Sequence, residues 1–340
     1  MTPRSLLGLG AVTVVVAIAA VASVASRYAG TPAVRDESPV FKGLDERLNS
    51  VGWLTVKTAE EEFTIQRDGA AWTMVDKQGY PVDAERARTA LFQLSQLRLA
   101  EAKTRMPERY PRIEVEDPTA KDAKSARLTV KDQADGVLAD VIVGKAKTTL
   151  AGGVGGIYLR KPGEAQAWLA RGALDLRERA ADWLVKDVID IDEKRIRRVA
   201  TMPKAGDPAV VVRNAPEERT FTLEGVPEGK TAKKDELGAF GTALGGLNLL
   251  DVMPADKKPL PADAGARAEV ETFDGLLIKV VMEESEKGIF AHFEAVATAG
   301  QADAEKEAEA INARVGKWVY LVPEYKLRPL LKARGDLIEG

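Results

Sequence analysis

His292 is the only histidine in this chain of 340 residues, and there is no cysteine. Zinc hydrolysis and Cys/His catalysis therefore have almost no material, and a Ser-His-Asp triad has only one possible base. His292 stands in Ile289-Phe290-Ala291-His292-Phe293, whose alternation reads as a strand, and no second histidine could complete a metal site. A strand histidine facing solvent or a polar neighbour is the simpler reading. Residues two apart in a strand share a face, so Asp190 and Asp192, followed by Glu193, could begin a hard-cation site. Such a site needs more oxygens than these supply, which favours a solvated strand at a domain junction. The glycines of Gly152-Gly153-Val154-Gly155-Gly156 would let backbone N–H groups approach an anion. A phosphate loop, however, ends in Gly-Lys-Ser/Thr at a helix start, and here Ile157-Tyr158-Leu159 begins a strand, so a hairpin turn is expected. Lys194-Arg195-Ile196-Arg197-Arg198 is basic enough to touch anionic lipid or polymer, but Ile196 and Val199 give it the pattern of a basic strand edge.

No Gly-x-Ser-x-Gly elbow is present. The 52 acidic residues would allow a carboxylate-only hydrolase, which needs two acids roughly 5–10 Å apart in a cleft, but no pair stands out. The sequence thus assigns no catalytic, cofactor-binding or metal-ligating residue, and no cofactor. Trp53, Trp72, Trp168, Trp183 and Trp318 fall in separate elements, mostly at positions that should face a core, rather than along one sugar-binding platform.

The elements that must carry these residues begin with an uncharged run, Ser5 to Ser26, in which Leu6 to Ala25 is almost entirely apolar. At ~1.5 Å rise per residue such a helix spans about 30 Å, the thickness of a bilayer's hydrocarbon core. Ser23-Val24-Ala25 and Ala20-Val21-Ala22 would suit cleavage of a signal peptide, but the apolar run is long for a signal and the basic start is only Arg4 and the amino terminus. A single-pass anchor in the cytoplasmic membrane, with the bulk of the chain facing the periplasm or cell exterior, is expected. With no cysteine at its end, a lipoprotein is excluded. Residues 27–50, with Gly30, Pro32 and Pro39 among charges, read as a linker. The whole chain is 45% hydrophobic and 30% charged with a net charge of -3, an ordinary globular mixture without the basic field that nucleic acid requires.

After the linker the chain repeats itself. Phe63-Thr64-Ile65-Gln66-Arg67 and Trp72-Thr73-Met74 form a half-buried hairpin, followed by a helix capped by Asp83 with a stripe of Ala87, Leu91, Leu94 and Leu97. Val210 to Arg213, Phe221-Thr222-Leu223 and Lys233 to Leu250 replay that order. Leu94-Ser95-Gln96-Leu97-Arg98-Leu99 is matched by Leu244-Gly245-Gly246-Leu247-Asn248-Leu249. The hairpins Leu128 to Val143 and Ala268 to Val281 follow. Tyr158-Leu159 with Ala170-Arg171-Gly172 is then paired with Tyr320-Leu321 and Ala333-Arg334-Gly335. Ala302 to Ala313 reads as a solvent-facing helix. The fold class expected is α+β: a transmembrane helix over 5–26, a linker over 27–50, and two tandem, mainly antiparallel β-sheet domains over 51–186 and 187–340, each with a packed helix.

Trp72, the helix after Asp83, Tyr110-Pro111-Arg112-Ile113 with Glu116-Asp117-Pro118, Ile157-Tyr158-Leu159-Arg160 with Pro162-Gly163-Glu164, and Asp182-Trp183-Leu184 resemble domain-of-unknown-function family 4340. The resemblance covers most of the chain after the apolar run. It implies a single-pass membrane protein found beside the permease and auxiliary subunits of a gliding-motility-type ABC transport system, and it carries over no catalytic residue. The function expected is a non-catalytic accessory subunit whose partners are the bilayer, through Leu6 to Ala25, and an ABC-type permease. The alternatives are an extracytoplasmic binding module for cell-wall polymer or transported substrate, and a carboxylate-only hydrolase.

Overall fold

The computed structural model describes residues 37–148, 155–260 and 265–339. The apolar run 5–26 lies outside the described residues, as do Gly152, Gly153 and Val154 of the glycine-rich run. Among the described residues no helix is long and apolar enough to cross a membrane. The chain forms two compact units, the first from residues up to Met74 and Val82–Trp183, the second from Val75–Pro81 and Leu184 onward.

Unit 1 contains β1 (Val51–Lys57), β2 (Glu62–Asp68) and β3 (Ala71–Met74). The short β4 (Tyr80–Pro81) lies in the segment that belongs to unit 2. Helix α1 (Ala84–Gln96), then β5 (Arg98–Ala102), β6 (Ala126–Asp132), β7 (Val137–Lys147), β8 (Gly156–Arg160) and β9 (Ala167–Arg171) complete it. The unit's strands lie in the order β3-β2-β1-β6-β7-β8-β9-β5, and each pair is antiparallel. Alternation sets the buried face: Leu54 and Val56 of β1 with Phe63 and Ile65 of β2 point into the core, while Thr55 and Thr64 meet on the other face, their hydroxyls 3.1 Å apart. Asp83 caps α1, its Oδ1 accepting from the backbone N–H of Glu85 and Arg86. The predicted stripe of Ala87, Leu91, Leu94 and Leu97 is buried.

Unit 2 contains β10 (Asp187–Ile189), β11 (Ile196–Met202), β12 (Ala209–Val212), β13 (Thr222–Leu223), β14 (Thr231–Ala232) and α2 (Lys234–Thr242). It continues through β15 (Leu247–Asn248), β16 (Asp251–Pro254), β17 (Ala266–Thr272), β18 (Leu276–Ser285), β19 (Gly288–Ala297), α3 (Ala302–Val315), β20 (Trp318–Val322), α4 (Glu324–Leu327) and β21 (Ile338–Glu339). Its 8-stranded sheet runs β13-β12-β11-β17-β18-β19-β20-β16. That is the order of unit 1, strand for strand.

The same local devices recur in both units. The backbone N–H of Leu99 donates to the carbonyl of Ser38 at 2.9 Å, and that of Leu249 donates to Lys186 at the same distance. The residue before each helix is held alike, Asp83 N–H on the carbonyl of Trp183 and Lys233 N–H on that of Leu337. A register slip falls between Val51 and Trp53 in β1 and between Ile196 and Arg198 in β11. At the next hairpin Asp132 accepts from Gly136 N–H and Thr272 from Leu276 N–H. Asp135 with φ 65° occupies the left-handed position that Gly275 takes with φ 88°.

These pairings correct three expectations. Residues 38–50, read as the end of a linker, belong to unit 1: Val40 and Leu44 are buried, and the backbone around Pro39 pairs with Arg98. Proline and charge mark a chain that leaves regular structure, not one that leaves the fold. Second, the boundary between units falls at Trp183, and Val75–Pro81, between the strands and helix of unit 1, lies in unit 2. There Tyr80 packs edge-on against Trp318 with ring centroids 5.0 Å apart. Third, the closing match is shifted by one strand. Tyr158 lies in β8, whereas Tyr320 lies in β20, whose counterpart is β9; the segment equivalent to Ala333 to Leu337 is Arg179 to Trp183, not Ala170 to Gly172. Helix α3, inserted between β19 and β20, displaced the comparison. It is amphipathic rather than wholly solvent-facing, with Ala304, Ala308, Ile311 and Val315 buried.

Candidate functional site

Most of the described residues that suggested chemistry in the sequence are tied to a neighbour in the fold. His292 lies half-buried on β19 with Nδ1 2.9 Å from the carbonyl oxygen of Trp318. Asp190 accepts from the backbone N–H of Gly246 at 2.7 Å, and Asp192 caps the turn after it by accepting from Lys194 N–H at 2.8 Å. The two aspartates thus hold backbone, and among the described residues no group of three His, Cys, Asp or Glu side chains is placed to hold a metal ion. The glycine-rich run lies in sequence between β7 and β8, which pair antiparallel with Lys147 opposite Gly156. Trp72, Trp183 and Trp318 are buried and Trp53 and Trp168 half-buried, each in its own element.

The basic run is largely neutralised. Arg195 grips Glu307 of α3 through both Nη atoms, at 2.8 and 2.6 Å, and reaches Asp274 through Nε at 2.9 Å. Arg197 and Arg198 share Glu271 on β17, at 2.8 and 2.7 Å. Partial burial pushes the Glu271 carboxyl up, but the two guanidinium groups outweigh it and hold the group below its ordinary value. A carboxylate held low stabilises the fold above its unfolded value near 4.5, and that contribution is lost as pH falls through the folded value. Glu271→Gln should therefore lower stability at neutral pH and make its decline between about pH 5 and pH 3 shallower, as measured by urea unfolding across that range.

The resemblance-bearing residues of unit 1 form a packed cluster. Arg160, buried at the end of β8, lies over the ring of Tyr110 with its guanidinium carbon 4.6 Å from the centroid. Its Nε donates to the carbonyl of Val115 at 2.9 Å and its Nη1 to that of Glu164 at 3.2 Å, while the Tyr110 hydroxyl donates to Ala165. Tyr110, Val115, Ile142 and Ala167 make an apolar cluster beneath, so these residues fasten the excursion between β5 and β6 to the sheet.

Two concavities among the described residues have charged linings. In unit 1 a cleft of about 310 Å³ is lined by Thr58, Glu60, Glu61, Lys124, Ser125 and Glu178, among others. Burial, then the nearby charges of Glu114 and Glu60, push the Glu178 carboxyl up. Glu61 is committed there, accepting from Ala180 N–H at 3.1 Å. In unit 2 a larger cavity of about 640 Å³ is bounded by Glu193, Lys194, Arg213, Pro216, Glu217, Glu218 and Arg219. Within that lining Arg213, only 3% exposed, donates to the carbonyls of Glu193, Ile196 and Glu218 and lies against Phe221 and Phe273.

Arg213 has a counterpart. Arg67, at the equivalent place near the end of β2, donates to the carbonyls of Leu48, Asn49 and Gly69 and lies over Trp72. In both units an arginine at the strand end ties the hairpin turn to the segment entering the first strand. The sequence signal was present in the matched pair Gln66-Arg67 and Val212-Arg213, but a single arginine at a strand end has no signature that separates a structural staple from a surface charge. No curated protein and no solved structure matches the chain. The chain belongs to the family described as Domain of unknown function (DUF4340), which it matches over residues 72–265, more than half of its length.

Proposed function

We propose that this protein is a membrane-anchored extracytoplasmic subunit that acts by binding rather than by catalysis, held by Leu6 to Ala25 and assembling with an ABC-type permease and its auxiliary subunit. The observation that carries the reading is the uncharged run 5–26 ahead of two sheet units. In those units the suggestive charges serve structure: Asp190 and Asp192 hold backbone, and Arg195, Arg197 and Arg198 are spent on Glu307, Asp274 and Glu271. The family resemblance supports the choice of partner. A second reading, a binding module for a polymer or transported substrate, draws support from the cavity over Arg213.

Gentle detergent extraction of native membranes followed by affinity purification should bring down a permease and a nucleotide-binding partner, and carbonate washing should leave the protein in the membrane fraction. Replacing Leu6 to Ala25 with an unrelated spanning sequence then separates the contributions, because surviving association places the interface outside the bilayer. His292→Ala, Asp190→Asn and Asp192→Asn should each leave complex formation intact. A soluble chain beginning near Ser26, or loss of a cellular phenotype in a folded His292→Ala variant that still binds its partners, would overturn the reading.

A further inference from the structure

The cavity in unit 2 exists because of a loop that the fold does not need. Unit 1 closes the equivalent hairpin between β2 and β3 with Gly69 and Ala70 alone, and Arg67 still staples it. Between β12 and β13 the same turn is expanded to residues 213–221, and Pro216, Glu217, Glu218 and Arg219 build one side of the concavity. Loops in excess of what connects two strands carry binding functions more often than structural ones.

The chemistry of the walls narrows the ligand. Arg213 lines the cavity and is more than nine-tenths buried, and among the described residues no carboxylate pairs with it and its Nε–H has no acceptor. An orphaned buried donor calls for an acceptor. Lys194, alone in its basic run, and Arg219 make no ion pair among the described residues, in contrast to Arg195, Arg197 and Arg198. Glu193 and Glu217 are likewise without a cationic partner there, whereas Glu218 accepts from the backbone N–H of Asn214 at 3.0 Å. A cavity lined by both signs offers little net potential to a simple anion or cation, but a strong gradient to a molecule carrying both.

We propose that this cavity binds a small zwitterionic molecule, with its anionic oxygen group toward Arg213, Lys194 and Arg219 and its ammonium toward Glu193 and Glu217. The inference is independent of the partner assembly proposed above. Full-length protein in detergent micelles, titrated calorimetrically, should bind glycylglycine or phosphoethanolamine saturably, and the order of the two names the anion as carboxylate or phosphate. Acetate and ethylammonium should bind at least about tenfold more weakly, since each keeps only one set of charge-assisted contacts. Arg219→Ala and Glu217→Gln, both on exposed side chains, should each weaken the dipolar ligand by about tenfold while leaving the thermal unfolding midpoint in place. Removal of Pro216 to Arg219 should abolish binding. The proposal is overturned if neither dipolar probe binds, if acetate or ethylammonium binds as tightly, or if neither point substitution weakens binding.

Discussion

Arg213→Ala should destabilise unit 2 by about 3–5 kcal/mol, because it strips the donors from three carbonyls in a buried setting at roughly 1–3 kcal/mol each before relaxation. The side chain is 3% exposed, and Glu193, Ile196 and Glu218 all depend on it. Arg213→Lys should recover little of the loss, since one ammonium on a flexible stem cannot reproduce the planar fork between Phe221 and Phe273. The same change at Arg67 supplies the control. That residue is half-buried and water can replace its contacts with Leu48 and Asn49, so Arg67→Ala should cost about 1–2 kcal/mol. Hydrogen exchange read by mass spectrometry would localise each effect: faster exchange over 196–223 in the first variant and over 51–74 in the second. Equal losses for the two arginines, or no loss for Arg213, would remove the distinction between a buried and an open staple.

Leu94→Ala and Leu244→Ala should each cost about 2–5 kcal/mol, the range for deleting a buried leucine side chain whose cavity cannot fully collapse. Leu94 is 0% exposed and Leu244 is 1% exposed. Each stands three residues before a second buried leucine, Leu97 and Leu247, that leads into a paired segment. Urea unfolding of each variant, combined with exchange mapping, should show the loss confined to the substituted unit. A loss below about 1 kcal/mol would mean that the helix ends are not part of the cores.

Period-2 alternation and helical spacing were enough to find the hairpins, the helix after Asp83 and the likeness of the two halves, because these depend on which face of a local element meets the core. Val210 to Arg213 and Phe221 to Leu223 could be laid on Phe63 to Arg67 and Trp72 to Met74 without knowing where either hairpin sat. The end of each unit was not legible. Nothing local distinguishes β8 from β20, and the inserted α3 shifted the alignment by one strand until sheet order fixed the pairing of Trp183 with Asp83 and of Leu337 with Lys233. Ser38 to Val40 read as a linker for the same reason. Their place is set by hydrogen bonds to Leu97 and Leu99 some 60 residues away, and a strand that short carries no period of its own.

The chemistry divides along the same line. The sequence by itself determined the membrane-length apolar run, the poverty of catalytic side chains with one histidine and no cysteine, and the family, because these follow from composition and short motifs. The tertiary structure alone decided what the charges do. Arg195, Arg197 and Arg198 look like a basic patch when written in a row. Alternation and a register slip in β11 instead send them to Glu307, Asp274 and Glu271, from 73 to 112 residues distant. Arg213, which looked like one more charge at a strand end, became a buried staple that lines a cavity beside the expanded turn. Ion pairing and burial depend on the surroundings that distant segments create in space, and one chain read in order does not contain that information.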